Sequence, residues 1–158
     1  MLFCVKKYIP EIVGVTLCLT LSTWYDMSDA VNSCWYKNLI RPSFYPPAWV
    51  FAPVWTALYI IMGVSLGKMW RLRHKDRLYL PLFCIQFIFN VFWAPTFFGY
   101  KKINLAAITT VLIWAILLTI IVRAKKNQDS LLVALFIPYI LWITFASALT
   151  IALYILNS

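Results

Sequence analysis

Apolar positions run through this chain in long uninterrupted blocks. Pro42–Gly67, Leu78–Tyr100, Ile103–Val122 and Ser130–Ser158 contain no Asp, Glu, Lys or Arg. Each is as long as the ~20 residues that a helix needs to cross ~30 Å of hydrocarbon. Over such a length in lipid, only a helix satisfies its own backbone groups. The pattern predicts helices near residues 48–70, 79–98, 104–122 and 131–155. The first apolar run, between Glu11 and Asp26, is shorter, about 21 Å of helix at 1.5 Å per residue. It spans if the helix covers residues 8–28 and both carboxylates lie near headgroups. The other reading is a leader, with Lys6 and Lys7 before a short apolar run and Ser28-Asp29-Ala30 as a small-x-small cleavage site. Pro10-Glu11 at the head of the run weakens it. The expected fold class is an all-α membrane protein: a five-transmembrane-helix bundle forming one domain over residues 1–158, with an aromatic, Pro-rich loop at 29–47.

Composition agrees with the pattern. Of 158 residues, 63% are hydrophobic and 12% charged, with a mean hydropathy of +0.82. Soluble domains carry about 25% charged residues. The net charge of +9 would point to nucleic acid in a soluble protein, but here its placement has a topological reading. With five spans, Lys6, Lys7, Lys68, Arg71, Arg73, Lys75, Arg77, Arg123, Lys125 and Lys126 fall on one side. Lys37, Arg41, Lys101 and Lys102 fall on the other. That bias places the N-terminus inside and the C-terminus outside, leaves contact with anionic membrane lipid open, and argues against a nucleic-acid partner.

Conventional catalytic and metal chemistry has few candidates. His74, the one histidine, stands in a basic loop, so paired histidine ligands are excluded. Cys4, Cys18, Cys34 and Cys84 show no C-x-x-C spacing. No carboxylate falls in the middle of a predicted span, where ion-coupled transporters keep them. The expectation is no catalytic residue, no metal and no required cofactor. Gly63-Val-Ser-Leu-Gly67 matches the G-x-x-x-G helix-contact pattern, which packing within the chain explains as well as dimerisation does.

Aromatic residues are in excess: eight Trp, nine Tyr and 11 Phe. Trp24, Trp35, Trp49 and Trp70 stand at or beyond predicted helix ends and fit an interfacial belt. Trp55, Trp93, Trp114 and Trp142 lie inside the apolar runs. Helical spacing groups Trp55, Tyr59 and Met62 on one face, Gln86, Asn90, Trp93 and Phe97 on a second, and Tyr139, Trp142, Ala146 and Leu149 on a third. Gln86 and Asn90 cannot face lipid cheaply, so their face looks into the bundle. Interhelical hydrogen bonding and ligand contact are both open to them. Three inward aromatic faces suit a large, flat, apolar ligand, and the alternative is that the rings pack on one another. The segment from Trp35 to Trp49 contains Arg41, Pro46 and Pro47. The proline pair suits a rigid lead into the next helix, so the loop is a candidate lid over one end of the bundle, or an anchor in the headgroups.

Three blocks carry a resemblance that covers about residues 8–155: W-Y-x-x-L-x-R-P-x-x-x-P-P-x-W-x-F-x-x-x-W from Trp35 to Trp55, N-x-x-W-x-P-x-F-F-G from Asn90 to Gly99, and P-Y-x-x-W-x-x-F-A-x-x-L from Pro138 to Leu149. In this order and spacing the chain resembles the TspO/MBR family, the tryptophan-rich sensory and translocator proteins. The resemblance implies a retained first helix and a five-helix bundle, commonly a homodimer. It implies a porphyrin ligand (protoporphyrin IX or haem-like) and, in animal members, cholesterol and synthetic drug ligands. Family pocket positions carry over to Trp55, Asn90, Trp93, Trp142, Ala146 and Leu149, with Tyr139 on the same face. The implied function is a tetrapyrrole sensor, carrier or scavenger. Light-dependent porphyrin breakdown and lipid or sterol translocation are the alternatives.

The chain departs from the family pattern at four places. Phe44 stands where Trp is common, Leu105 where animal members have Trp, and Thr150 where Asn is frequent. Tyr154 has no following Lys or Arg to complete a sterol-contact pattern. These departures fit a bacterial inner membrane better than a mitochondrial outer membrane.

Overall fold

The computed structural model describes residues 2–26 and 28–158, with side chains from Tyr8 onward. The helices are α1 (Leu2–Ser22), α2 (Ser28–Asn32), α3 (Cys34–Lys37), α4 (Phe51–Leu72), α5 (Tyr79–Ala94), α6 (Ile103–Lys126) and α7 (Ser130–Asn157). A 3₁₀ turn, Ala48–Val50, leads into α4, and a π-helical turn, Pro95–Gly99, extends α5. Four helical stretches are long and apolar enough to cross a membrane: Ala48–Leu72, Tyr79–Gly99, Ile103–Lys126 and Ser130–Asn157. The apolar part of the first helix, Tyr8–Ser22, is shorter. α4 packs on α1, α5 and α7, while α6 packs on α5 and α7. The four long helices thus supply most of the core, and α1 packs along α4 and adds Cys18 to it. Side chains such as Ile88, Phe92, Val122 and Leu141 point outward and are exposed, as a lipid-facing surface requires.

The first helix differs from the span expected over residues 8–28: it begins at Leu2 and ends at Ser22. Side-chain competition explains the early end. Ser22 and Thr23 hydroxyls donate to the Leu19 carbonyl, and the Asp26 carboxylate accepts the Ser28 amide at 2.8 Å. Local bonds of this kind offer the backbone an alternative to a further helical turn. The loop expected at 29–47 contains α2 and α3.

Pro95 shapes the end of α5. Its missing N–H leaves the Val91 carbonyl without its helical partner. Trp24, just beyond α1, aims its indole Nε1–H at that oxygen at 3.4 Å and sets its ring edge-on to Phe92. The turn then widens, and the Tyr100 amide closes back on the Pro95 carbonyl at 2.9 Å.

Glycine brings α1 and α4 into backbone contact. A Cβ at Gly63 would strike the backbone of Val15, one at Gly14 the carbonyl of Gly63, and one at Gly67 the backbone of Glu11. The Gly63–Gly67 motif is therefore used inside the chain. Glu11 pairs with Arg71 at the same contact, which places this end of α1 beside the basic loops.

Those loops are tied together by a polar clasp. Asp76 is 7% exposed. Its carboxylate accepts from Arg123 Nε at 2.8 Å and Nη2 at 2.9 Å, from Asn127 Nδ2 at 3.1 Å and from the Leu78 amide at 2.9 Å. Lys75 pairs with Asp129 at 3.5 Å. The 71–78 and 123–130 loops thus share one end of the bundle, as the charge pattern requires; the side chains of Lys6 and Lys7 lie outside the described residues. The Arg123 guanidinium, with smaller help from Leu78 and Asn127, holds the Asp76 carboxyl below its ordinary range despite burial. A carboxylate depressed in the folded state stabilises above its unfolded pKa and loses that contribution as pH falls through the folded value. Thermal unfolding in neutral detergent should therefore occur at lower temperature as pH drops below about 4, and Asp76→Asn should flatten that dependence.

Candidate functional site

Neighbouring helices bring a polar chain and a set of aromatic rings together inside the bundle. Tyr59 Oη donates to Asn90 Oδ1 at 2.9 Å, Asn90 Nδ2 donates to Tyr139 Oη at 3.1 Å, and Tyr139 Oη donates to Gln86 Oε1 at 2.8 Å. α4, α5 and α7 are thereby joined through side chains that the spacing of each helix turns inward. Gln86 and Tyr139 are fully buried, and Asn90 nearly so. Around them the rings interlock. Trp55 stacks on Tyr59 at 5.5 Å and meets Trp142 edge-on at 6.4 Å. Trp142 also contacts Phe51 at 6.0 Å and Phe145 at 5.4 Å.

A second aromatic group lies one helical turn nearer the bundle mouth. Trp93 stacks on Phe97 at 5.1 Å, and Leu149 joins Phe97, Ile103, Ala106 and Leu153 in the same apolar cluster. The site residues expected from sequence thus divide. Trp55, Asn90, Tyr139 and Trp142 share the deeper group, while Trp93 and Leu149 belong to the mouth. Ala146 is half-buried on α7, and its carbonyl accepts the Thr150 hydroxyl at 2.7 Å.

Three buried donors in this region find no acceptor among the described residues: Trp93 Nε1, Trp142 Nε1 and Gln86 Nε2. Buried polar atoms are almost always bonded, so each such exception calls for an explanation. Trp114, inside the neighbouring α6, differs: its Nε1–H donates to Thr144 Oγ1 at 2.9 Å.

The loop from Trp35 to Trp49 lies across the mouth. Trp35 meets Phe97 at 5.7 Å, Tyr36 meets Phe98 at 5.3 Å, Tyr45 meets Phe51 at 6.1 Å and Phe44 meets Phe145 at 6.4 Å. Arg41 lies over the rings of Tyr36 and Tyr45, about 5 Å from each centroid, and their hydroxyls share a hydrogen bond of 2.6 Å. Burial, then the Tyr36 bond, pushes the Tyr45 phenol up, so the guanidinium rests on a neutral Tyr45 ring. Pro46 and Pro47 lead into the 3₁₀ turn, whereas Trp49 is 74% exposed and points outward, the orientation of an interfacial anchor.

Asn157 pins the loop at its middle. Its Oδ1 accepts the Ile40 amide at 2.9 Å, and its Nδ2 donates to the Ile40 carbonyl at 2.9 Å. Losing this pair costs about 1–2 kcal/mol locally. Amide exchange at Ile40 should accelerate by roughly 10-fold in Asn157→Ala, read by hydrogen-exchange mass spectrometry on the loop peptide. Unchanged protection would mean that the aromatic contacts alone hold the loop.

Tyr59 and Gln86, which spacing places on the inward faces but which are not among the pocket positions carried over from the family, belong to the site as well. A signal was present: a phenol four residues from Trp55, and an amide four residues from Asn90, inside apolar helices.

Known proteins share much of this sequence. The sequence matches the TspO/MBR family over residues 12–156. The chain belongs to that family. It is 36% identical to the "Tryptophan-rich protein TspO" of Chlorobaculum tepidum, over 93% of this chain and 98% of that protein. It is 36% identical to the protein of the same name from Archaeoglobus fulgidus, over 78% of this chain and 80% of that one. The human "Translocator protein" is 32% identical over 73% of this chain and 70% of its own length. As a TspO/MBR member with several long apolar helices, the protein is a multi-pass membrane protein.

Proposed function

We propose that this TspO/MBR protein is a five-span membrane protein that binds a flat tetrapyrrole, and that it acts as a sensor, carrier or scavenger of it. One observation carries the reading: Trp93, Trp142 and Gln86 hold buried donors without acceptors among the described residues, inside a cluster of flat rings. Such a ligand offers π-faces to the indoles and ring or side-chain acceptors to the donors. The Trp55–Trp142 edge contact must open to admit it. A groove of about 620 Å³ between α4 and α7, lined by Leu58, Pro138, Trp142 and Phe145 among others, adjoins that contact and leaves Trp142 room to move. The proposed location is a bacterial inner membrane, in keeping with the 36% identity to the Chlorobaculum tepidum protein against 32% to the human one. The Gly63–Gly67 stripe is occupied by α1, so a homodimer would form on another face.

Titration of the purified protein with protoporphyrin IX, read by tryptophan quenching, tests the reading. Trp142→Ala should weaken binding by about 1–3 kcal/mol, the range for stacking on an aromatic ring. Ala146→Leu should weaken it by crowding Trp142. Trp114→Ala, in which the indole lost is one bonded to Thr144, should leave it unchanged. Equal losses at Trp114 and Trp142 would indicate a general packing effect and remove the support for a pocket. Illumination of the bound complex separates a carrier from a light-dependent enzyme, because only the enzyme yields a new product in proportion to protein.

A further inference from the structure

Trp93 meets two rings further along its own helix, Phe97 at 5.1 Å and Phe98 at 6.1 Å. An unbroken α-helix does not bring both to it. At 3.6 residues per turn, residues four apart share a face, whereas residues five apart stand about 140° from each other. The π-helical turn Pro95–Gly99 widens the ladder by one residue and so brings Phe98 round beside Phe97. The two rings then pass the contact on to the loop over the mouth, Phe97 to Trp35 and Phe98 to Tyr36. The join between Trp93 and that loop thus depends on the shape of this turn.

The turn is gripped from outside the site, by the residues that follow α1. Pro95 leaves the Val91 carbonyl without its helical partner, and Trp24 Nε1–H donates to that oxygen at 3.4 Å while its ring meets Phe92. The Tyr25 hydroxyl lies against Gly99, where a Cβ would come within 3.0 Å of it. Trp24 itself is 51% exposed, so it reaches the turn from the surface and contributes little to the core.

We propose that Trp24 is a positioning residue of the candidate site: by capping the Val91 carbonyl it holds the π turn wide, and the turn aims Phe97 and Phe98 at Trp93 and at the loop. The ligand used in the test rests on the tetrapyrrole reading; the role of Trp24 in shaping the turn does not. With the indole gone, a bare carbonyl at the apolar end of α5 is costly in lipid and re-pairs with an amide of the following turn. That tightens the turn towards α-helix and carries Phe98 away from Trp93 and Tyr36. The sequence pattern assigns Trp24 only to the interfacial belt, because nothing in the spacing shows which carbonyl an indole beyond α1 will reach.

The experiment uses the full chain in dodecyl maltoside. Trp24→Phe keeps a ring for Phe92 and removes the N–H; Pro95→Ala gives the Val91 carbonyl a main-chain partner. Hydrogen-exchange mass spectrometry follows the loop peptide containing Tyr36 and the peptide containing Pro95–Gly99. Protoporphyrin IX binding is read from its own absorption band, and the melting temperature is recorded. In Trp24→Phe, exchange in the loop peptide should rise roughly 5-fold, the worth of one hydrogen bond. Binding should weaken by a similar factor at an unchanged melting temperature. Pro95→Ala should slow exchange in the 95–99 peptide, because the helix is continuous there, and yet weaken binding, because Phe98 is re-aimed. In that background Trp24→Phe should add nothing. A more ordered helix end that binds less well is not what a purely structural role produces. Unchanged loop exchange and binding in Trp24→Phe would make Trp24 an interfacial anchor and refute the proposal. So would binding lost only in step with a lower melting temperature, or an equal effect of Trp24→Phe with and without Pro95. Exchange needs no ligand: a parent protein that fails to bind protoporphyrin IX would overturn the tetrapyrrole reading, while the exchange measurements still decide the role of Trp24.

Discussion

Gly63→Val should detach α1 from α4. The new side chain would meet the backbone of Val15, which cannot rotate away as a flexible side chain would. Overpacking of a close interface costs about 1–3 kcal/mol and sometimes more. Here the upper end is expected, because the obstruction is main chain and the neighbouring Gly14 and Gly67 contacts open with it. Cys18, 1% exposed on α1, supplies a readout. With Cys4, Cys34 and Cys84 replaced by serine, maleimide should label Cys18 slowly in the parent and quickly in Gly63→Val. A lower melting temperature should accompany the change. Gly14→Ala and Gly63→Ala should each do less, and the double variant should cost less than their sum, since one separation of the helices relieves both clashes. Slow labelling and unchanged melting in Gly63→Val would mean that α1 is not held by this stripe.

The α1–α4 stripe also marks a boundary of what the sequence makes legible. G-x-x-x-G announces a close helix contact but not its partner, because any helix with a small residue at the right height can receive it; Gly14 lies 49 positions away. The four long spans were readable because absence of charge over 20 residues has few other causes in a folded chain. The inward faces were readable because Gln86 and Asn90 are costly in lipid, and i, i+3, i+4 spacing carries Trp93 and Phe97 with them. Their partners were not, since a spacing argument orients each helix about its own axis without saying which helices face each other. Thus Tyr59 joins Asn90, and Trp93 separates from Trp142 into a group nearer the mouth, only once the helices are assembled. The end of α1 was misplaced for a local reason: hydroxyls at Ser22 and Thr23, and the Asp26 carboxylate, turn a chain whose hydropathy still permits helix.

The second large effect concerns the polar chain from Tyr59 to Gln86, and whether it holds the bundle or serves a ligand. Asn90→Leu should destabilise the protein by about 1–3 kcal/mol, since it strips the Tyr59 hydroxyl of its acceptor and Tyr139 of a donor in a buried setting. Interhelical hydrogen bonds in membrane proteins average about 0.6 kcal/mol each, so most of this cost is the groups left unpaired and little of it the bonds themselves. Removing every member reverses that. A variant carrying Tyr59→Phe, Gln86→Leu, Asn90→Leu and Tyr139→Phe keeps similar side-chain volumes, removes the orphaned Gln86 Nε2 and adds no new orphaned polar atom, and it should melt at or above the parent temperature. If the network exists for the ligand, that same variant should lose tetrapyrrole affinity by 10-fold or more, about 1.4 kcal/mol, in quenching titrations although Trp55, Trp93 and Trp142 are all in place. Stability and binding would then move apart, which packing alone does not produce. A quadruple variant that melts well below the parent, and binds in proportion to its folded fraction, would make the network structural and leave recognition to the indoles.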